Sequence, residues 1–258
     1  MNRPERAPAA RPELALPRPG CPELARIERR LLLRGALSLG AVSLLSGCNL
    51  EDGDAVDRAL SAMSRFNDRV QAALFNPNRL ARTFPPGAIT RPFPFNAYYS
   101  EDQVRRVDPA AWRLELSGLI ADRRPWTLAD LRRLPQQSQI TRHICVEGWS
   151  AIGQWSGVPF SVFLRRVGAD LRARYVGFKC FDDYFTSIDM ATALHPQTIM
   201  ALDFAGQPLP PAYGAPMKLR IPTKLGFKNP KYIAAIYVTN RYPGGYWENQ
   251  GYNWFSGS

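Results

Sequence analysis

Cysteine and histidine are scarce, with 4 and 2 copies in 258 residues. Cys21 lies near the start and Cys48 ends an apolar run, so only Cys145 and Cys180 belong to the body of the chain. A disulfide-stapled scaffold is therefore excluded, and a single Cys145–Cys180 bridge is the most an oxidising compartment could form. A zinc site would have to join Cys145, Cys180, His143 and His195, whose intervals match no finger or ribbon spacing. Long apolar runs are missing too. The stretch from Gly35 to Gly47 has 13 apolar or small residues, short of the ~20 that span a bilayer. The chain has no dinucleotide-binding glycine motif, no internal repeat and no Cys-x-x-Cys-His for haem attachment. Its net charge of +11 is spread out, with no basic run in the body beyond pairs such as Arg105-Arg106 and Arg165-Arg166. That pattern reads as a solvated basic surface favouring an anionic ligand such as a phosphate, and not a nucleic acid.

What is present begins with the N-terminus. Arg29-Arg30 precedes Leu31-Leu32-Leu33-Arg34 and the short apolar run, and Leu45-Ser46-Gly47-Cys48 closes it. This is the layout of a twin-arginine export signal ending in a lipobox, with Cys48 as the acylated mature N-terminus. Glu28 stands where Ser or Thr is usual. The twin-arginine route carries proteins already folded, commonly around a cofactor. Residues 1–47 are thus expected to be a signal region, and the protein periplasmic and tethered by lipid at Cys48. About 210 residues remain for one or two compact domains, and six Trp with 45% hydrophobic residues allow a real core.

Residues 48–95 read as a tether, a helix and a proline-rich arm. Val56, Leu60, Met63, Phe66, Val70 and Leu74 recur at helical spacing, as in an amphipathic helix packed on the body. Pro77, Pro85, Pro86, Pro92 and Pro94 make the following segment an extended arm. From residue 96 to 258 the pattern is mostly β. Trp112 to Leu116 alternates; Gln139–Val146, Tyr175–Phe181, Lys218–Pro222 and Ile233–Thr239 read as strands. Thr127 caps a short helix, and Pro159–Val167 is another. The class expected is α+β with mixed sheets and long functional loops.

The stretch with most chemistry is Arg142-His143-Ile144-Cys145-Val146-Glu147-Gly148-Trp149-Ser150. It sets one thiol at the end of an apolar strand, His143 on the same face and Arg142 on the other. From the residues alone Cys145 is a metal ligand, a nucleophile with a histidine base, or a buried structural cysteine. Lys224-Leu225-Gly226-Phe227-Lys228 follows Lys218-Leu219-Arg220; a glycine between lysines suits an oxyanion cradle or a plain basic turn. His195 closes a short helical turn as a site residue or a satisfied structural histidine. Asn96, Tyr98 and Tyr99 follow the arm and can reach over a site.

Together these segments resemble the molybdopterin domain of the sulfite oxidase superfamily. The nearer branch is that of the periplasmic oxidoreductases related to the catalytic subunit of protein-methionine-sulfoxide reductase. The resemblance runs from about Asn96 to Thr239 through Arg142–Ser150, Ala193–Thr198, Gly206–Pro222 and Lys224–Lys228. It implies a mixed-sheet molybdopterin-binding fold and a molybdenum–molybdopterin cofactor, with Cys145 as the metal ligand and His143 and Arg142 beside it. It also implies pterin contacts from Asn96, Tyr98, Tyr99, Cys180 and His195, and a phosphate held by Lys218, Gly226, Phe227 and Lys228. The activity implied is oxygen-atom transfer to or from an oxide, with a membrane cytochrome b as electron donor or acceptor. Several positions depart from the family. Cys180 stands where the branch has Thr, Lys218 where it has Arg, and Tyr213 where an Asn is expected before Gly214-Ala215-Pro216. The arginines that collect sulfite are missing after Cys145. The alternative expectation is a lipoprotein that keeps this fold as a binding or scaffolding module without molybdenum catalysis.

Overall fold

The computed structural model describes residues 53–257; the signal region and Cys48 lie outside them. Four α-helices occur among these residues: α1 (Gly53–Leu74), α2 (Leu128–Arg132), α3 (Phe160–Arg166) and α4 (Met190–Leu194). The strands are β1 (Glu115–Gly118), β2 (Gln137–Ile144), β3 (Ser150–Pro159), β4 (Tyr175–Cys180), β5 (Phe185–Asp189), β6 (Ile199–Phe204), β7 (Gln207–Pro208), β8 (Lys218–Arg220) and β9 (Ile233–Thr239). They form two sheets. One runs β1-β9-β4-β5, with β1 and β9 parallel and the other pairs antiparallel. The other is antiparallel, β2-β3-β6-β7, with β8 also paired to β6. The fold is α+β with mixed sheets. From Arg58 on the chain is one compact unit.

The elements follow from local chemistry. Thr127 and Asp130 form a reciprocal capping box that starts α2, satisfying two donors the helix leaves free. Asp189 accepts from Thr192 N at 2.7 Å and starts α4. The main core joins Trp112, Leu114, Phe160, Phe163, Val176, Phe178, Ile236 and Val238, all buried. Trp126 packs edge-on against Phe163, ring centres 5.2 Å apart. A smaller cluster of Trp155, Ile199 and Ala201 receives Phe93 from the proline-rich arm. The Thr83–Thr141 bridge also ties that arm to β2.

Helix α1 forms where the periodicity predicts it, but its apolar stripe is not packed on the body. Leu60, Met63, Phe66, Val70 and Leu74 are exposed. The face that docks is the polar one: Asp68 accepts from Phe255 N at 2.7 Å and Gln71 from Gly257 N at 3.1 Å. The C-terminal tail needs acceptors for these amides, and the polar side chains supply them. No helix among the described residues is long and apolar enough to cross a membrane.

Candidate active site

Strand β2 delivers His143, and the chain then turns over before β3. Cys145 N donates to Trp149 O at 2.9 Å and Gly148 N to Cys145 O at 3.2 Å, closing the turn. Gly148 has φ +91°, a conformation that favours glycine. Cys145 is therefore presented at the end of a rigid hairpin, half-buried. Its Sγ lies 3.6 Å from Glu147 Oε2, which also accepts from Trp149 Nε1 at 2.9 Å. Burial first, and the Glu147 charge after it, push the Cys145 thiol up. Without a cation beside it, the sulfur stays protonated.

The thiol opens into a cleft of about 320 Å³. Cys145, Glu147, Gly226, Asn229 and Lys231 line it together with Asn96, Tyr98 and Tyr99. Tyr184, Trp247 and Tyr252 add an aromatic rim. Tyr98 stacks on Tyr246 at 5.1 Å and donates to Asp182 O at 3.0 Å; burial pushes its hydroxyl up to about 12. Tyr99 donates to Asp182 Oδ2 at 3.2 Å.

Behind the cleft wall lies a cluster of buried cations. Lys218 is 3% exposed and Arg220 0%. Lys218 meets only the like charges of Lys231 and Arg220, and burial drives its ammonium well down. Lys231 donates to Asn96 O at 2.5 Å and Ala212 O at 2.9 Å, and burial lowers it to about 8. Arg220 donates to Arg142 O at 2.5 Å, Asn229 Oδ1 at 3.0 Å and Thr141 Oγ1 at 3.2 Å, locking β2 to β8. No carboxylate forms an ion pair with any of these three among the described residues. His143, 1% exposed, sits among them; burial and then the charges of Arg220, Lys218 and Lys231 hold it neutral. Asn96 Nδ2 donates to its Nε2 at 3.0 Å, and the buried Nδ1 has no partner.

Several expected site residues are placed elsewhere. Arg142 points to the opposite face of β2, exposed, with its guanidinium 5.4 Å from the Phe84 ring centre; strand alternation turns it away from the thiol. His195 is held by Arg79 O at 3.1 Å and by Gln197 N, and does not line the cleft. Lys228 is completely buried and bonded to Glu248, which also accepts from Thr186 at 2.7 Å. A buried ammonium takes the buried carboxylate, so its side chain does not face the cleft. Cys180 is buried in the core at the end of β4, and both body cysteines are free. Gly226 and Phe227 do line the cleft. Lys231, Asn229, Arg220 and Glu147 belong to the site without a sequence signal that singles them out. Glu147 lay within the cysteine motif, and Lys231 follows the Gly-Phe-Lys turn by three residues.

An oxidoreductase molybdopterin-binding domain matches residues 101–247. The chain belongs to this family. It is 66% identical over 230 residues, 89% of this chain and 88% of the relative, to a "putative protein-methionine-sulfoxide reductase subunit YedZ1" of Azospira oryzae. Among solved structures it resembles the sulfane dehydrogenase SoxCD of Paracoccus pantotrophus, with a TM-score of 0.50 and 18% identity. That match covers 54% of this chain and 40% of the SoxCD chain, and shows a shared fold. The protein is a molybdopterin-dependent oxidoreductase with a sulfite-oxidase-type fold.

The residues present suit that cofactor. A thiol at the cleft is the soft ligand a molybdenum centre takes. Three buried cations with no ion-paired carboxylate are an anion site in waiting, because buried charge is costly until it is paired. A Cβ on Gly226 would lie 2.7 Å from His143 Nε2 and 3.3 Å from Ile144 O. Only glycine there lets the Gly226 turn pack this closely on His143 and the end of β2.

Proposed function

We propose that this protein is the exported catalytic subunit of a reductase that removes the oxygen of neutral oxides, with methionine sulfoxide in proteins as its substrate class. The observation that carries this is the charge of the cleft. Its lining has two carboxylates, Glu147 and Asp182, one lysine and no arginine. The one ammonium, on Lys231, is the group the cofactor's anionic end takes, so none is left for the substrate. Such a mouth repels a sulfite dianion and accepts a neutral sulfoxide. The relative's name points the same way.

When bound, the molybdenum centre supplies two-electron oxygen-atom transfer. The protein's part is to hold and to orient. Cys145, as a thiolate, would be the protein ligand of the metal. Glu147, in contact with that sulfur, is the carboxylate placed to take the proton. Lys231 and the Gly226–Phe227 backbone, which line the cleft, would hold the anionic end of the pterin, with the Lys218 charge behind them, and His143 keeps Asn96 in position. The rim of Tyr98, Tyr184, Trp247 and Tyr252 receives an apolar thioether stem and keeps water out.

The relative is named as a subunit, and this chain has no haem-attachment motif, so electrons come from a second protein. A membrane cytochrome b suits a chain exported by the twin-arginine route and tethered by lipid at Cys48. The test is steady-state turnover with reduced viologen as donor. Methionine sulfoxide, free and in an oxidised protein, should be reduced, while sulfite with ferricyanide gives no turnover. Rapid sulfite oxidation without sulfoxide reduction would overturn the reading.

A further inference from the structure

Helix α1 presents three distinct faces. Ser64, Asp68, Gln71 and Phe75 recur at 4-3-4 spacing and are half-buried against the body. Arg58, Arg65 and Arg69 form a second, solvated face. The third carries Leu60, Met63, Phe66, Val70 and Leu74, about 110° round the helix from the docked face. Its exposure is high: Leu60 57%, Met63 63%, Phe66 63% and Leu74 79%. A helix that spends its polar face on internal hydrogen bonds and turns its apolar face outward has its packing partner outside the fold.

The chain before it indicates what that partner is. The apolar run Gly35–Gly47 and Cys48 end five residues before Gly53. A tether of that length reaches at most about 17 Å. Anchored at Cys48, α1 therefore starts within that distance of the bilayer. The arginine face is centred about 140° round the helix from the apolar one, the polar face of helices that lie in the headgroup region. The chain from Cys48 on is cationic at +7, which favours anionic lipid. We infer that the outward stripe of α1 lies on an anionic lipid surface, setting the enzyme body at a fixed attitude to the membrane. The inference rests on the export-and-anchor reading of residues 1–48.

The test is region-resolved hydrogen exchange of the full chain. It is run with vesicles of phosphatidylcholine, alone or mixed with phosphatidylglycerol, alongside a sedimentation assay. The expected result is slowed exchange across residues 58–75 with the anionic vesicles. A Met63→Ser/Phe66→Ser variant, altered only at exposed positions, should keep its thermal stability and lose that protection at least about tenfold. If the protein sediments with vesicles while exchange in 58–75 is unchanged, the lipid-surface proposal is overturned and the anchor stands. If it does not sediment at all, the anchor reading fails and the proposal fails with it, leaving the stripe to a protein partner.

Discussion

Replacing Lys218 by Met should act in opposite directions on the empty and the loaded protein. Lys218 is 3% exposed and surrounded by like charge from Lys231 and Arg220. Keeping such a charge buried costs several kcal/mol, and apolar replacements of buried ions stabilise proteins by about 1–4 kcal/mol. At about 2–4 °C per kcal/mol for a domain of this size, the apoprotein Tm should rise by roughly 2–16 °C. In the loaded protein the same change would remove a positive charge behind the cofactor's anionic end, of the order of a hydrogen bond to a charged group, about 1.5–3 kcal/mol. Pterin retention should fall roughly 10- to 150-fold. The assay pairs thermal unfolding of protein from a host lacking molybdopterin with pterin content from a competent host. Lys218→Arg, which keeps the charge, should retain the cofactor. A Lys218→Met protein with a lowered apo Tm and normal pterin content would refute the reasoning, because Lys218 would then be a structural residue.

Apoprotein stability should rise with pH between about 8 and 10. Lys231 titrates near 8 when folded and at 10.5 when unfolded, so the unfolded chain binds the extra proton across that window. The full difference is about 3 kcal/mol. Loading the cofactor should flatten the slope, as urea unfolding at several pH values would show. Gly226→Ala puts a Cβ 2.7 Å from His143 Nε2; it should cost about 1–3 kcal/mol and abolish pterin retention, measured by pterin fluorescence, with the secondary structure kept. Glu248→Gln strips the buried Lys228 of its partner and should cost about 3–5 kcal/mol, lowering Tm. Its effect on pterin content should be small, because Lys228 is tied into the core.

Most strands and the cap of α2 were legible because their signals are local. Thr127 and Asp130, or the alternation in Gln139–Val146, need no partner to be recognised. Strands β3 and β6 were not called. Gly153, Gly157 and Pro159 interrupt the pattern of β3, and four buried residues in a row conceal the alternation of β6. Cys145 and Gly226 were legible through motif wording. Lys231, Arg220 and Asn229 were not, since their roles arise from three-dimensional convergence behind the cleft wall. Lys228 was assigned to the phosphate through the family resemblance; only the fold reveals Glu248, twenty residues later, as its partner. The outward stripe of α1 shows the same limit: periodicity gives the helix, and the docking face depends on acceptors demanded by a tail some 190 residues away.

Cys145 is the residue expected to ligate the metal. Molybdenum K-edge X-ray absorption of the loaded protein and of Cys145→Ser tests this directly. The expected result is one sulfur neighbour fewer in the variant, with the pterin still bound and sulfoxide reduction lost. An unchanged sulfur shell, or full turnover by the variant, would contradict it.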